Sequence, residues 1–496
     1  MRSGTPSRTE RRDASVAEVA VVGAGAVGLT LAARLAQLGL SVAVYEADSE
    51  RRRIGSRAIC MQRETLEIWG RVGIGEEVAR RGVRWTIGRT YFEGRQLFNI
   101  HLPEGDEHFP PFVNISQSEV EERLEHRLGE LGVPVHRGHR LTALTRDAGG
   151  VTATFETATG PVSPRFGHLV GADGAHSGVR HAAGVGFPGY TFEDRFLIAD
   201  IRAELPFSNE RHFHFDPPWN PRRQVLIHPQ PDGVWRIDWQ VPPDTDADEE
   251  LASGRLDRRI RQVIGPDTSY ELAWMTAYRF SQRLADAFRV GRVFLAGDAA
   301  HVMSPFGARG LNSGVADAEN LAWKLARVVG HGAPDALLDT YEGERRAAAR
   351  ENLAATERTM RFLAPHGWLR RTWRDLVLRM APRSAWFRAR VNSGRLAEPA
   401  RYGPSSIVAS GEDHGAIAPD ARLVDGRRLR EALGSGWAVV ATDPPAEHPP
   451  DVQPLAVTRG AYPAGRALLI RPDGYVADSA SSSDPADLRR LWSRIL

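Results

Sequence analysis

Three glycine-rich stretches, far apart in this chain, carry residue types that handle phosphate and sugar. The first is Gly23-Ala24-Gly25-Ala26-Val27-Gly28, directly after the apolar run Val19–Val22. The second is Gly171-Ala172-Asp173-Gly174. The third is Gly297-Asp298-Ala299-Ala300-His301, followed by Pro305 and Gly310-Leu311-Asn312. In the first, Gly23 permits a tight turn, Gly25 lets backbone approach a pyrophosphate, and Gly28 lets the next helix pack on the strand. The N-terminus of that helix presents unpaired N–H groups to negative charge. Glu46, at the end of the following strand, is placed to accept ribose hydroxyl hydrogens. A carboxylate there fits the unphosphorylated adenosine ribose of FAD or NAD and disfavours NADP.

A second set of candidates lies between residues 185 and 285. His212, His214 and His228 could act as a general base toward a bound substrate, since an imidazole titrates near working pH. Trp219, Trp235 and Trp239 are candidates for substrate contact. At period-two spacing the same residues also serve to pack a sheet face or to bond locally. His301 sits inside the third motif, where a structural bond is its ordinary role.

The elements that must position these residues follow from hydrophobic periodicity. A buried strand at 19–22, an Ala-rich helix from 26 to 38 and a strand at 41–46 form a βαβ unit, which implies a parallel sheet. The spacing predicts helix from about 50 to 80 and strands with polar turns over 83–115. A charged amphipathic helix is expected from 118 to 131, with strands at 141–155 and 167–171. Between about 185 and 285 the period becomes two, which predicts an antiparallel sheet and a substrate-binding layer. Residues 312–330 and 336–360 are strong helices. Trp, Arg and apolar residues at helical spacing make 361–395 a helical connector. The last stretch, with strands near 437–441, 468–470 and 475–477 and a helix at 485–495, is expected to form a small α/β domain.

Composition bounds the rest. The chain has 496 residues, 42% of them hydrophobic and 25% charged, with a formal net charge of +2. That balance gives no nucleic-acid footprint. The only lysine is Lys324, so every other basic residue bar histidine is Arg. One cysteine, Cys60, excludes an intramolecular disulfide, a CxxC pair and a Cys-based zinc site, and no metal is expected. It fits a reducing, cytoplasmic setting. No apolar run is long enough to span a bilayer, so no membrane partner is expected. Residues 1–15 are polar and Arg-rich, and are read as a disordered tail rather than a secretory signal.

Taken together, the three motifs resemble those of the FAD-dependent aromatic hydroxylases of the para-hydroxybenzoate hydroxylase type. More narrowly, the chain is similar to the phenol, phenylpropionate and aromatic-polyketide hydroxylases that carry a C-terminal thioredoxin-like domain. The similarity is strong over about 16–360 and moderate over 400–480, where Pro419-Asp420 and Arg471-Pro472-Asp473-Gly474-Tyr475 match. The resemblance implies an α/β fold: a Rossmann-like FAD-binding domain in parts 16–82, 116–184 and 286–360. An antiparallel-sheet substrate domain (83–115 and 185–285) would be inserted in it. A connector at 361–405 and a thioredoxin-like domain without cysteines at 406–496 would follow. It implies FAD contacts from Gly23, Gly25, Gly28, Glu46, Arg57, Gln117, Asp173, Gly174, Gly297 and Asp298, the last to a ribityl hydroxyl. Pro305 and the start of a helix at Gly310-Leu311-Asn312 would lie beside the flavin ring. Arg309 departs from the uncharged residue usual before that glycine. The cysteine-free extension would pack or mediate dimerisation, so the chain is expected as monomer or homodimer.

The activity so implied is hydroxylation of a small aromatic substrate by molecular oxygen. NADPH or NADH would be the electron donor, and a C4a-hydroperoxyflavin the oxygen carrier. Baeyer–Villiger oxygenation, epoxidation and oxidase chemistry use the same scaffold, and a non-catalytic FAD-binding protein is the alternative of another class. A flavin-dependent halogenase would need a Trp-x-Trp-x-Ile-Pro stretch that is absent.

Overall fold

The computed structural model describes residues 17–51, 58–102, 105–363, 365, 367–391, 399–434 and 436–495. Arg57 lies outside the described residues. Among those described, the helix expected from about 50 begins only at Arg63, because Cys60–Gln62 is instead a short strand paired with Phe112–Asn114.

The first βαβ unit forms where expected. Val19–Val22 is wholly buried, and so is Val42–Tyr45. Between them runs the helix Ala26–Gln37, with most of its residues buried because both the sheet and other helices cover it. Gly39, at φ +86°, terminates it. The Leu40 N–H then reaches back to the Leu35 carbonyl at 3.1 Å. The central sheet has the order Arg289–Val290, Val293–Leu295, His168–Gly171, Val19–Val22, Val42–Tyr45, Val135–His136. All its pairs are parallel except the Arg289–Val290 edge. Helices Ala26–Gln37, Gln117–Glu130 and Gly310–Leu325 belong to the same domain core.

The second sheet has eight strands, ordered His301–Val302, Glu271–Leu284, Gly189–Arg202, Val234–Val241, Gln224–Pro229, Arg211–Phe215, Ile87–Phe92, Arg95–His101. It is mixed rather than purely antiparallel, because Arg211–Phe215 pairs parallel with Ile87–Phe92. That pair welds the 83–115 segment to the 185–285 segment. One face is covered by the helix Arg255–Ile264, through Leu256, Ile260 and Ile264.

The C-terminal sheet orders Val452–Ala456, Trp437–Ala441, Arg466–Ile470, Val476–Ser481, with only the first pair parallel. It is seated on the first domain through Trp323 and Leu337, which join its apolar core. A buried polar cluster spans the same boundary. Glu344 accepts from Arg471 (2.6 and 2.9 Å), Lys324 (2.7 Å) and Asn320 (2.8 Å). Among the described residues no helix is long and apolar enough to cross a membrane.

Candidate functional site

The three motifs follow three adjacent strands. Val19–Val22, His168–Gly171 and Val293–Leu295 are neighbours in the central sheet. Their carboxyl ends open on one crevice, which is where ligands bind in open α/β sheets. Gly23, at φ +109°, passes so close to the second motif that a Cβ there would lie 2.3 Å from the Ala172 carbonyl oxygen. A Cβ on Gly28 would lie 2.0 Å from the Gly23 carbonyl oxygen. Both positions therefore require glycine. The Ala24 N–H donates to Glu46 at 2.8 Å, which ties the acid at the end of the second strand to the first loop. Arg180 stitches the other two motifs together, donating to the carbonyls of Ala175 (2.9 Å) and Ala299 (3.0 Å).

A cavity of about 1700 Å³ begins at this crevice. Gly25, Gly174, Asp298, Pro305, Gly310, Leu311 and Asn312 are in its wall. The helices Ala26–Gln37 and Gly310–Leu325 both present their N-termini to it, and neither is capped by the side chain of its own N-cap residue. Nothing lies within 4 Å of a Cβ built at Gly174 or Gly310. Two helix N-termini beside bare glycines are the cradle that a pyrophosphate and an electron-rich ring require. The residues present thus fit FAD. Gln117 lines the same space and donates to Glu121 at 2.7 Å. Glu121 also accepts from the Ala26 N–H at 3.2 Å, and burial raises its pKa.

The third motif is held from behind. Asp317 accepts from the Gly297 N–H (3.0 Å), pairs with the His301 ring (2.7 Å) and accepts from Arg345 (2.7 Å). Burial works against its charge, yet His301 and Arg345 hold its carboxyl below the usual range. Arg345 donates in turn to the Tyr402 hydroxyl at 2.9 Å. His301 is thus a structural member of the motif. Asp173 caps the helix Gly178–Ala182, accepting from Ser177 and from the Val179 N–H (3.0 Å). Asn312 bonds Gln62 N (2.9 Å), Thr65 (2.6 Å) and Cys60 O (3.0 Å) with its side chain and also lines the cavity.

The cavity continues onto one face of the second sheet. Cross-strand register sets the row there: His228, Arg236, Asp200 and Trp274 are paired in line. The next row contains Phe213, Leu226, Asp238, Ile198 and Thr276. Arg211 and Cys60 complete this polar end. Arg236 is neutralised by Asp200 through two contacts of 2.8 Å. Arg211 forms no ion pair among the described residues; its guanidinium lies over the Trp85 and Phe213 rings, at 5.4 and 5.9 Å from their centroids. Arg211 Nε, His228 Nδ1 and Asp238 Oδ1 have no hydrogen-bond partner among the described residues. Protein surrounds all three groups, and the open side is the cavity itself. Burial, reinforced by the Arg211 and Arg236 charges, lowers the His228 pKa to about 3. Burial raises Asp238 to about 7 against the pull of Arg236. Near neutral pH His228 is therefore uncharged, and Asp238 is poised between acid and base.

Period two also decides which sequence candidates miss the cavity. Trp235 and Trp239 alternate with Arg236 and Asp238, so they point away from it into the core under Arg255–Ile264. Trp219 packs against that core as well. His212 and His214 lie on the same outer face; both stack on Tyr91, and His212 bonds the Tyr91 hydroxyl at 3.2 Å. Of the three histidines only His228 reaches the cavity. The residues that sequence reasoning passed over are Arg211, Arg236 and Asp238. The available signal was a charged pair alternating with Trp and Ile inside an apolar strand: a polar residue buried there needs a reason. Lys324 is wholly buried and bonded to Glu344 and Asn320 (2.8 Å).

Comparison with known proteins agrees with this geometry. The family model described as "FAD binding domain" matches residues 16–356. A 3-(3-hydroxy-phenyl)propionate/3-hydroxycinnamic acid hydroxylase of Comamonas testosteroni is 34% identical over 366 residues, covering 73% of this chain and 61% of that protein. A flavin-dependent monooxygenase of Mycobacteroides abscessus is 32% identical over 488 residues, 92% of this chain and 96% of the other. The crystal structure of aklavinone-11 hydroxylase with FAD and aklavinone superposes with a TM-score of 0.79 at 25% identity, covering 96% of this chain and 98% of that one. By its motifs, its cradle and these matches, the chain belongs to the FAD-dependent aromatic hydroxylase family.

Proposed function

We propose that this chain hydroxylates a phenolic or polycyclic aromatic compound, using FAD, NADPH or NADH, and molecular oxygen. The observation that carries this reading is the single cavity that runs from the cofactor cradle to the sheet face of Arg211, His228 and Asp238. When bound, FAD would supply the redox chemistry, taking up hydride and activating oxygen. The chain's own residues must hold an aromatic ring close to it and keep water out. Phe196, Leu226, Phe280 and Phe306 provide the apolar wall between the two ends. Arg211 is a half-buried cation without a protein anion among the described residues, so it favours the ionised form of a bound phenol. His228, held neutral, can accept a hydrogen bond from the phenol at Nδ1, the atom left without a partner, while Asp238, raised to about 7, is the group matched to take the proton. Both effects raise the electron density of the ring to be oxygenated.

Two of the named relatives differ in substrate, from a phenylpropionate to aklavinone. The test is NADH and NADPH oxidation by the purified flavoprotein in air, with phenols, phenylpropionates and polycyclic phenols supplied in turn. Product and peroxide are counted together. Oxidation stimulated by one class, with a product heavier by one oxygen, supports the proposal. A lactone or epoxide product would reassign the reaction within the family, and peroxide with every compound would refute hydroxylation of these classes.

A further inference from the structure

The helices Trp368–Met380 and Ala385–Val391 carry most of the large apolar exposure on the described molecule. Trp368 is 73% exposed, Leu369 65%, Trp373 49%, Leu376 46% and Trp386 54%. The other exposed large hydrophobic residues, Val162, Tyr190, Leu251 and Val424, are scattered singly along the chain. The outward face is not a helix lacking a home. Val377 and Leu378 are fully buried on the opposite side, and Arg374 is fixed there by Asp216 and Asp375. An anchored helix that still presents several large apolar side chains marks an interaction surface.

Charge identifies what it meets. Residues 367 to 391 contain seven arginines and a single acid, Asp375. With Arg374 turned inward, Arg370, Arg371, Arg383 and Arg390 remain exposed among the tryptophans. A second copy related by a two-fold axis would bring these cations against one another. Tryptophans interleaved with arginines on a short amphipathic helix are the composition that lies in a lipid interface. Trp sits at the headgroup level, and Arg snorkels to anionic phosphates. We propose that this face docks on an anionic membrane surface, with Trp368, Trp373 and Trp386 inserted among the headgroups. This is surface association, which requires no membrane-spanning helix.

The position of the face gives it a use. Arg390 and Val391 belong to the cavity wall. On the reading given under Proposed function, an aromatic substrate of low solubility would enter from the bilayer rather than from water. The docking itself does not depend on that reading, and its test involves no turnover.

The test is sedimentation of the full-length holoprotein with vesicles of phosphatidylcholine alone and of phosphatidylcholine and phosphatidylglycerol in equal parts. The protein pellets with the anionic vesicles, and added salt weakens the association. Arg370→Gln and Arg371→Gln each lower the partition coefficient about fivefold. The triple change of Trp368, Trp373 and Trp386 to Ser abolishes pelleting while FAD content and melting temperature stay as in the parent, because the three side chains are exposed. Equal association with both vesicle types overturns the proposal, as does retention by the triple variant. A dimer in light scattering that the triple variant converts to monomer also overturns it, since a second copy would then own the face. Binding to soluble polyglutamate as tight as to the anionic vesicles would replace the membrane by an acidic protein.

Discussion

Glu344→Ala is expected to loosen the seat of the C-terminal domain by about 3 kcal/mol. Glu344 is 4% exposed and serves two buried cations. It accepts a two-pronged contact from Arg471 (2.6 and 2.9 Å) and one from Lys324 (2.7 Å). Removing one partner of a buried pair costs about 3–5 kcal/mol, because the surviving charge is left without compensation. Arg471 retains Asp473 (Nε to Oδ1, 3.0 Å), which places the value at the lower end. Lys324 keeps only Asn320 (2.8 Å) and carries most of the loss. Adding Lys324→Met to the alanine change removes the orphaned charge, so the double variant recovers part of the stability. The pH dependence fixes the cause. The Arg471 and Lys324 charges outweigh burial and lower the Glu344 pKa from 4.5 to about 2. A depressed acid contributes stability that is full above the unfolded value and fades as pH falls through the folded one. The gap between parent and variant should therefore be widest just above about 4.5, close toward about 2, and narrow again toward about 8, where Lys324 sheds its proton. Urea unfolding with FAD in excess, repeated across that range, measures it. A loss below about 1 kcal/mol, or one that does not shrink on acidification, refutes the reasoning.

Four further outcomes follow from the site. Gly28→Ala puts a Cβ 2.0 Å from the Gly23 carbonyl oxygen, so purified protein should lose at least about tenfold in FAD affinity by flavin fluorescence titration. Asp298→Ala should weaken FAD retention by about 1.5–3 kcal/mol, the range for a hydrogen bond to a charged group; full flavin content after gel filtration would contradict that placing. Trp239→Ala should cost about 3–5 kcal/mol in unfolding yet leave the affinity for aromatic ligands unchanged, because the side chain faces the core. Asp238 has its pKa raised from 3.8 to about 7, so the folded state binds an extra proton between those values and stability falls as pH rises through that window. Asp238→Asn should flatten that slope and remove any inflection near pH 7 from aromatic-ligand binding; an unchanged profile would assign the titration elsewhere.

The phosphate-binding motifs were legible because backbone geometry dictates their residues. Only glycine tolerates the approach of Gly23 to Ala172 and of Gly28 to Gly23, and that constraint stands in the sequence itself. The face of the second sheet was not legible. Period two says that Trp235 and Trp239 share a side, and that Arg236 and Asp238 share the other. It does not say which side is core. That is settled by Leu256, Ile260 and Ile264, on a helix later in the chain that covers the tryptophans. Tertiary packing, not local pattern, chose the chemistry-bearing face. Asp173 and Asn312 show a second role that residue type does not reveal: the carboxylate accepts from the first turn of the helix Gly178–Ala182, and the amide ties the start of its own helix to Cys60, Gln62 and Thr65. In the C-terminal domain the strand Val452–Ala456 was hidden by Pro454, which an edge strand tolerates.

The central claim is that oxygen passes to an aromatic ring held between the FAD cradle and Arg211. The most direct measurement is mass spectrometry of the product formed from an activating phenol under isotopically heavy dioxygen, in parent and Arg211→Met enzymes. The account predicts one heavy oxygen in the parent product. It also predicts that the variant, with FAD still bound, diverts most NAD(P)H oxidation to peroxide. Product that takes its oxygen from water, or a variant as well coupled as the parent, would contradict it.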